Sequence, residues 1–200
     1  MGNHPFQHQR FATPMARNFG PAWTGDHLVF GSNRAGRDSS DPIPRQMVLD
    51  WLEFMRGNGV SRVVCLLGPK HLDKYESDLL ADYEEFFGEA NVLHEEIPDF
   101  DICSPEKLNG SILPFLDESV AAEERVVVHC SAGCGRTGHV LAAWRYYHHN
   151  IDIDTSLDEI FEPSESVYRR PLEAAGTDSE RLGRTISRQD YIDLLISTKD

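Results

Sequence analysis

The sequence predicts an α/β fold with a mainly parallel central sheet flanked by helices. Two observations lead there. Short apolar or β-branched runs recur at residues 60–67, 91–97 and 125–128, and each reads as a buried strand. Longer stretches with apolar residues at helical spacing separate them, and that alternation indicates parallel strands with helices over both faces. A ligand site then lies beyond the carboxyl ends of the strands. At 200 residues the chain suits one domain with a full core.

Residues 1–20 are polar, lack the apolar run of a secretion signal, and read as a flexible segment ahead of a single domain over 21–200. His4 and His8 there read as part of a frayed terminus rather than as metal ligands. Thr24-Gly25-Asp26 is a turn between apolar pieces, so 23–30 reads as a hairpin covering one sheet edge. Residues 32–40 form a polar, glycine-punctuated loop on which Arg34 and Arg37 read as solvated. Pro42 and Pro44 introduce a helix whose core stripe is Met47, Val48, Trp51, Leu52 and Met55, ended by Gly57 and Gly59. Residues 71–87 read as one acidic amphipathic helix.

Residues 97–105 are a loop in which Ser104 caps the next helix and Pro105 takes its first position. That helix, 106–124, carries a glycine and a proline and delivers the chain to the strand at 125–128. Beyond Asn150, Thr155 and Asp158 are spaced as a capping box for a helix that Pro163 disturbs. A polar stretch follows, and Ser187 and Asp190 then cap a final helix with Tyr191, Ile192, Leu194 and Leu195 facing inward.

The formal charge of −14 argues against nucleic acid and anionic membranes as general partners, which want basic faces. No run is long enough to span a bilayer, and a cytoplasmic location is expected. Lys70, Lys74, Lys107 and Lys199 are the only lysines, a balance that resembles proteins from salt-loving archaea; loss of folding at low salt would bear on it. Cys65, Cys103, Cys130 and Cys134 show neither paired zinc spacing nor a secretory disulfide pattern.

The chemistry concentrates in His129-Cys130-Ser131-Ala132-Gly133-Cys134-Gly135-Arg136-Thr137-Gly138. A nucleophile stands at the end of a buried strand, followed by a tight loop and a helix start. Converging amides and the helix dipole make such a place an anion site. A free thiol near pKa ~8.5 is only a few per cent thiolate at neutral pH. A helix N-terminus and a neighbouring cation lower it enough to make the thiolate the main species. Arg136 cannot lose its charge, and its planar fork matches two phosphate oxygens. Thr137 can donate its hydroxyl to the sulfur. Gly133, Gly135 and Gly138 also satisfy a dinucleotide fingerprint, with Asp152 or Asp154 at a suitable distance. That reading needs further strand–helix units after the loop and gives no reason for Cys130 and Arg136. A glycine-rich turn around an inert cysteine is the other alternative.

The His-Cys-x5-Arg-Thr-Gly loop closely resembles the signature of the cysteine-dependent protein-tyrosine phosphatase superfamily, in its compact dual-specificity, archaeal-type branch. The resemblance implies a dual-specificity phosphatase-like α/β fold, a phosphocysteine intermediate, and neither metal nor cofactor. It implies Cys130 as nucleophile. Ser131, Ala132, Gly133, Cys134, Gly135 and Arg136 would hold the phosphate. It also implies an aspartate general acid on the loop after the third strand. A Pro-Asp-x-x-x-Pro-Ser pattern puts Asp99 there, but Cys103 replaces a usual proline, so Asp101 stands as a rival. In the family the histidine at His129 helps fix the loop and tune the thiol rather than acting as base. Gln189 sits where a family glutamine orients hydrolytic water, an exposed helix glutamine being the alternative. Residues 169–173 resemble a turn of small relatives, and the 32–40 loop lies near the substrate entrance.

Phosphorylated proteins are the implied substrates, with phosphotyrosine first and phosphoserine or phosphothreonine as further ones. A non-catalytic phosphate-binding module (a pseudophosphatase), an RNA 5′-triphosphatase and a phosphoinositide phosphatase are the alternatives. Cys65 and Cys134 can each be read as traps for an oxidised Cys130, or as ordinary buried thiols.

Overall fold

Parallel pairing organises the chain. The computed structural model describes residues 17–23, 25–158 and 186–199. The strands are β1 (Gly20–Pro21), β2 (Val29–Asn33), β3 (Val60–Cys65), β4 (Val92–His94) and β5 (Arg125–Cys130). They form one five-stranded sheet in the order β1-β2-β5-β3-β4. Among the described strands only β1 runs antiparallel; it makes an edge hairpin with β2, its strand lying at residues 20–21, ahead of the expected 23–30. The other pairings are parallel, with Asn33 opposite Cys130 on one side of β5 and Cys65 opposite His129 on the other. The catalytic-looking cysteine therefore ends the central strand.

Period-two alternation splits the strand residues between two apolar layers. Val63, Cys65, Leu67 and Val127 face the layer built from α1 (Arg45–Gly57) and α3 (Leu79–Phe87), with Trp51, Leu52, Met55 and Tyr83 buried there. Val64, Leu66, Val126, Val128 and Cys130 face the other layer. That layer is built from α5 (Leu113–Ala121), α6 (Gly135–His149), α7 (Ile153–Asp158) and α8 (Arg188–Ile196). Residues 136 to 145 of α6 are all buried, which marks it as the helix packed on every side.

Several sequence expectations need correction. Phe19 is buried in the first core layer and Gly20 opens β1, so the domain begins before residue 21. Ser32 and Asn33 belong to β2 rather than to a loop, because they pair with β5. Met47 is 40 % exposed and drops out of the α1 core stripe. The 71–87 stretch is not one helix. A single turn, α2 (Pro69–Leu72), precedes α3, and Asp78 starts the latter by accepting from the amides of Leu80 and Ala81. A carboxylate that satisfies two orphan amides outweighs helical periodicity carried through it.

Ser104 does cap α4 (Pro105–Lys107), and the run continues through a π-helical turn at Leu108–Ile112 into α5. That turn surrounds Gly110 and precedes Pro114, which removes an amide from the ladder. Asp152, not Thr155, accepts at the start of α7, taking the Thr155 amide and hydroxyl. The Ser187/Asp190 capping box of α8 forms as expected. The turn at 169–173 and the polar stretch after it lie outside the described residues, as do His4 and His8. Among the described residues no helix is long and apolar enough to cross a membrane.

Candidate active site

The loop from Cys130 to Gly135 joins β5 to α6, and its shape depends on two residues far away in sequence. Gly133 has φ +71°, and a Cβ there would stand 2.6 Å from the Ser32 carbonyl carbon and oxygen. Only glycine lets the loop pass this close to β2. Asn18 Nδ2 donates to the carbonyls of Ala132 at 2.9 Å and Gly133 at 3.1 Å, and approaches Cys134 Sγ at 3.5 Å. The Arg34 amide donates to the Ser131 carbonyl at 3.3 Å, and its Nε to Ser131 Oγ at 3.4 Å. These bonds hold loop carbonyls from outside, and a loop anchored in this way can turn its amides toward an anion.

Arg34 thus corrects a sequence expectation. It is buried, and its guanidinium donates to the Ala35 carbonyl at 3.2 Å and Tyr75 Oη at 3.4 Å, folding residues 34–37 around itself. Arg37 stays exposed and, with Arg17, Arg34 and Met47, lines a 240 Å³ cavity beside the loop.

Cys130 is buried. Burial alone would push its thiol up, yet the net shift is downward. The Arg136 charge, the Thr137 hydroxyl and the amides of Thr137 and Gly133 outweigh the lost hydration. Thr137 Oγ1 is itself buried with no hydrogen-bond partner among the described residues, which leaves its hydroxyl available to the sulfur. Arg136 is fixed by carbonyls beyond the ends of β3 and β4, donating Nη1 to Ile97 O at 3.2 Å and to Leu66 O at 3.5 Å. Its other arm, Nη2, lies 2.7 Å from Asp99 Oδ1. Asp99 is partly exposed, and its Oδ2 lies 3.7 Å from His71 Nε2 on α2.

Asp101 sits differently. Its Oδ1 accepts the Ile102 amide at 2.8 Å, within its own loop. Gln189 does not join the cluster either. It is exposed on α8 and donates to Asp193 Oδ1 at 2.7 Å, one helical turn on. His129 is buried edge-on between Trp51 and Tyr83, at 5.3 and 5.6 Å between ring centroids. Burial lowers its pKa to about 3, so the ring is neutral packing beneath the loop. Cys65 faces the opposite core layer from Cys130, and burial pushes its thiol up to about 12. A bond between those two sulfurs would need the sheet to turn a side chain over.

Sequence reasoning missed Asn18, His71 and His139. Nδ1 of His139 donates to the Gly135 carbonyl at 3.0 Å, and Nε2 accepts the Cys103 amide at 3.0 Å. The buried ring, with its pKa lowered to about 3 by desolvation first, ties the Asp99 loop to the helix that carries Arg136. A histidine on α6, four residues after the last loop glycine, was the one available signal.

Solved structures share this arrangement of elements. Tk-PTP in its active form matches with a TM-score of 0.58 at 22% identity, over 91% of this chain and 96% of that one. Kinase associated phosphatase matches at 0.57 and 16% identity, over 83% of each chain. P. aeruginosa TpbA in complex with pTyr matches at 0.55 and 15% identity, over 94% of each. These likenesses establish the fold. The model of the family described as "Polymorphic toxin system, DSP-PTPase phosphatase" matches residues 39–150, from just before α1 to the end of α6 and including the whole Cys130–Arg136 loop. The chain belongs to this family of dual-specificity-like, cysteine-dependent phosphatases and is a protein phosphatase.

Proposed function

We propose that this phosphatase works by two in-line displacements at phosphorus, with Cys130 as nucleophile, and acts on phosphotyrosine and on phosphoserine or phosphothreonine. The observation that carries the proposal is the convergence of Cys130, Arg136 and Asp99. A thiol lowered despite full burial faces a guanidinium that also meets a carboxylate at 2.7 Å.

In the first step the Cys130 thiolate attacks phosphorus and the ester P–O bond breaks. Arg136 and the amides of Ser131, Ala132, Gly133, Cys134 and Gly135 hold the equatorial oxygens, and Thr137 donates to the sulfur. Asp99, protonated, gives its proton to the departing oxygen. In the second step Asp99, now a carboxylate, takes a proton from water as the water attacks phosphorus. The S–P bond breaks, and inorganic phosphate and the thiolate remain. Covalent catalysis divides one difficult displacement into two easier ones. The fixed donors stabilise charge where it develops, and the proton donor contributes about 10²–10⁴ in rate.

Asp99 rather than Asp101 takes the acid role because it shares Arg136 with the phosphate. The acidic surface and the absence of lysines in the loop favour phosphoproteins over polyanionic lipid headgroups, in a cytoplasmic setting and without cofactor. Turnover of phosphotyrosyl and phosphoseryl peptides by wild type, Cys130→Ser, Asp99→Asn and Asp101→Asn tests this. Cys130→Ser is expected to be inactive, Asp99→Asn to lose about 10²-fold or more, and Asp101→Asn to lose little. Full activity in Asp99→Asn would reverse the assignment.

A further inference from the structure

The Asp99 carboxylate has two oxygens with different neighbours. Oδ1 meets Arg136 Nη2 at 2.7 Å, while Oδ2 looks at His71 Nε2 across 3.7 Å. His71 is buried on α2, the single turn that follows β3, its amide bonded to the Gly68 carbonyl at 2.9 Å. Among the described residues Asp99 is the one carboxylate within ion-pair reach of its ring. Desolvation and the nearby charges of Arg136, Arg34 and Lys70 keep the ring neutral, against the pull of Asp99. A neutral imidazole can donate one N–H without adding a charge.

Nη2 of Arg136 carries two N–H bonds, and a phosphate oxygen drawing on that arm competes with Asp99 Oδ1 for it. Once a phosphate takes the guanidinium fork, the hold of Nη2 on Oδ1 weakens and Oδ1 is free to turn to the scissile ester. At that point the acid needs to be held by its other oxygen, with the proton on Oδ1. We propose that His71 is the positioning residue that does this. Its Nε2–H closes onto Oδ2 when Arg136 turns to phosphate, which steers the Asp99 proton onto Oδ1 and toward the leaving oxygen. The proton then passes from Oδ1 to the ester oxygen, and in the second step returns to Oδ1 from water. His71 itself exchanges none. The inference rests on Asp99 as the proton donor, as proposed above.

A leaving group that departs easily needs little protonation, and a poor one needs much. The ratio of kcat/KM for phenyl phosphate to that for para-nitrophenyl phosphate therefore reads the acid alone. It is unaffected by the fraction of enzyme that is folded. His71→Ala is expected to lower this ratio about tenfold, part of the fall produced by Asp99→Asn. His71→Gln, whose amide N–H reaches the place of Nε2, is expected to restore most of it, and His71→Ala in an Asp99→Asn background to change it no further. An unchanged ratio in His71→Ala beside a selective loss in Asp99→Asn would overturn the role of His71 and leave Asp99 standing. A ratio unmoved by Asp99→Asn would overturn the general-acid reading, and the inference with it.

Discussion

Single residues decide whether the loop exists. Gly133 combines a left-handed backbone with a 2.6 Å approach to Ser32, so a methyl group there meets backbone rather than a side chain that can swing away. Gly133→Ala is expected to cost about 1–2 kcal/mol for the backbone conformation alone. The displaced loop should also lose most of its turnover, because its donors act only at fixed positions. Thermal melting and aryl phosphate kinetics on one preparation measure both, and a variant with wild-type kcat would show that the loop tolerates the shift. The nucleophile, the arginine and the glycines were legible in the sequence because their spacing along the chain is their spacing in the loop. Asn18 and Arg34 were not. They reach the loop across 114 and 97 residues, and nothing local distinguishes them from a terminal asparagine and a loop arginine.

At the scale of elements, α6 is the axis on which the hairpin and the sheet are set. Asp26, at the hairpin turn, accepts the Leu28 and Val29 amides through Oδ1, both at 2.9 Å, and Trp144 Nε1 of α6 at 3.0 Å through Oδ2. Arg145 of α6 donates to the Ala22 carbonyl at 2.9 Å and also to the Ser156 carbonyl on α7. Removing the carboxylate in Asp26→Ala strands buried donors on two elements, at a cost of about 1–3 kcal/mol each where water cannot reach them. A lower urea midpoint with kcat/KM near wild type is the expected outcome, since the catalytic loop lies at the other end of α6. Unaltered stability would mean that water replaces the carboxylate. The positions of β3, β4 and β5 were legible from apolar and β-branched runs, whereas β1 and the end of β2 were not. Helix limits were less so where a side chain overrides periodicity, as Asp78 does before α3 and Asp152 before α7.

For the whole molecule, two neutral imidazoles buried on opposite sides of the sheet link folding to pH. His129 and His139 have pKa values lowered to about 3, against 6.5 for an exposed histidine. Below pH 6.5 the unfolded chain takes up two protons that the native one refuses until near pH 3. The contribution is therefore complete above 6.5 and is lost as pH falls, by up to about 1.4 kcal/mol per group per pH unit. Urea midpoints at about pH 7.5 and about pH 5.5 should differ in that direction, and equal midpoints would contradict it. The mainly parallel sheet flanked by helices could be anticipated from alternation, whereas the strand order and the seating of these histidines required the packed structure. In the proposed mechanism phosphate passes through Cys130. Asp99→Asn mixed with para-nitrophenyl phosphate and quenched in acid within one turnover tests it directly, because an easy leaving group permits the first step while the second lacks its base. Peptide mass analysis is expected to find a phosphoryl group on Cys130 and none in Cys130→Ser. Turnover persisting in Cys130→Ser, or a phosphoryl group on another residue, would contradict it.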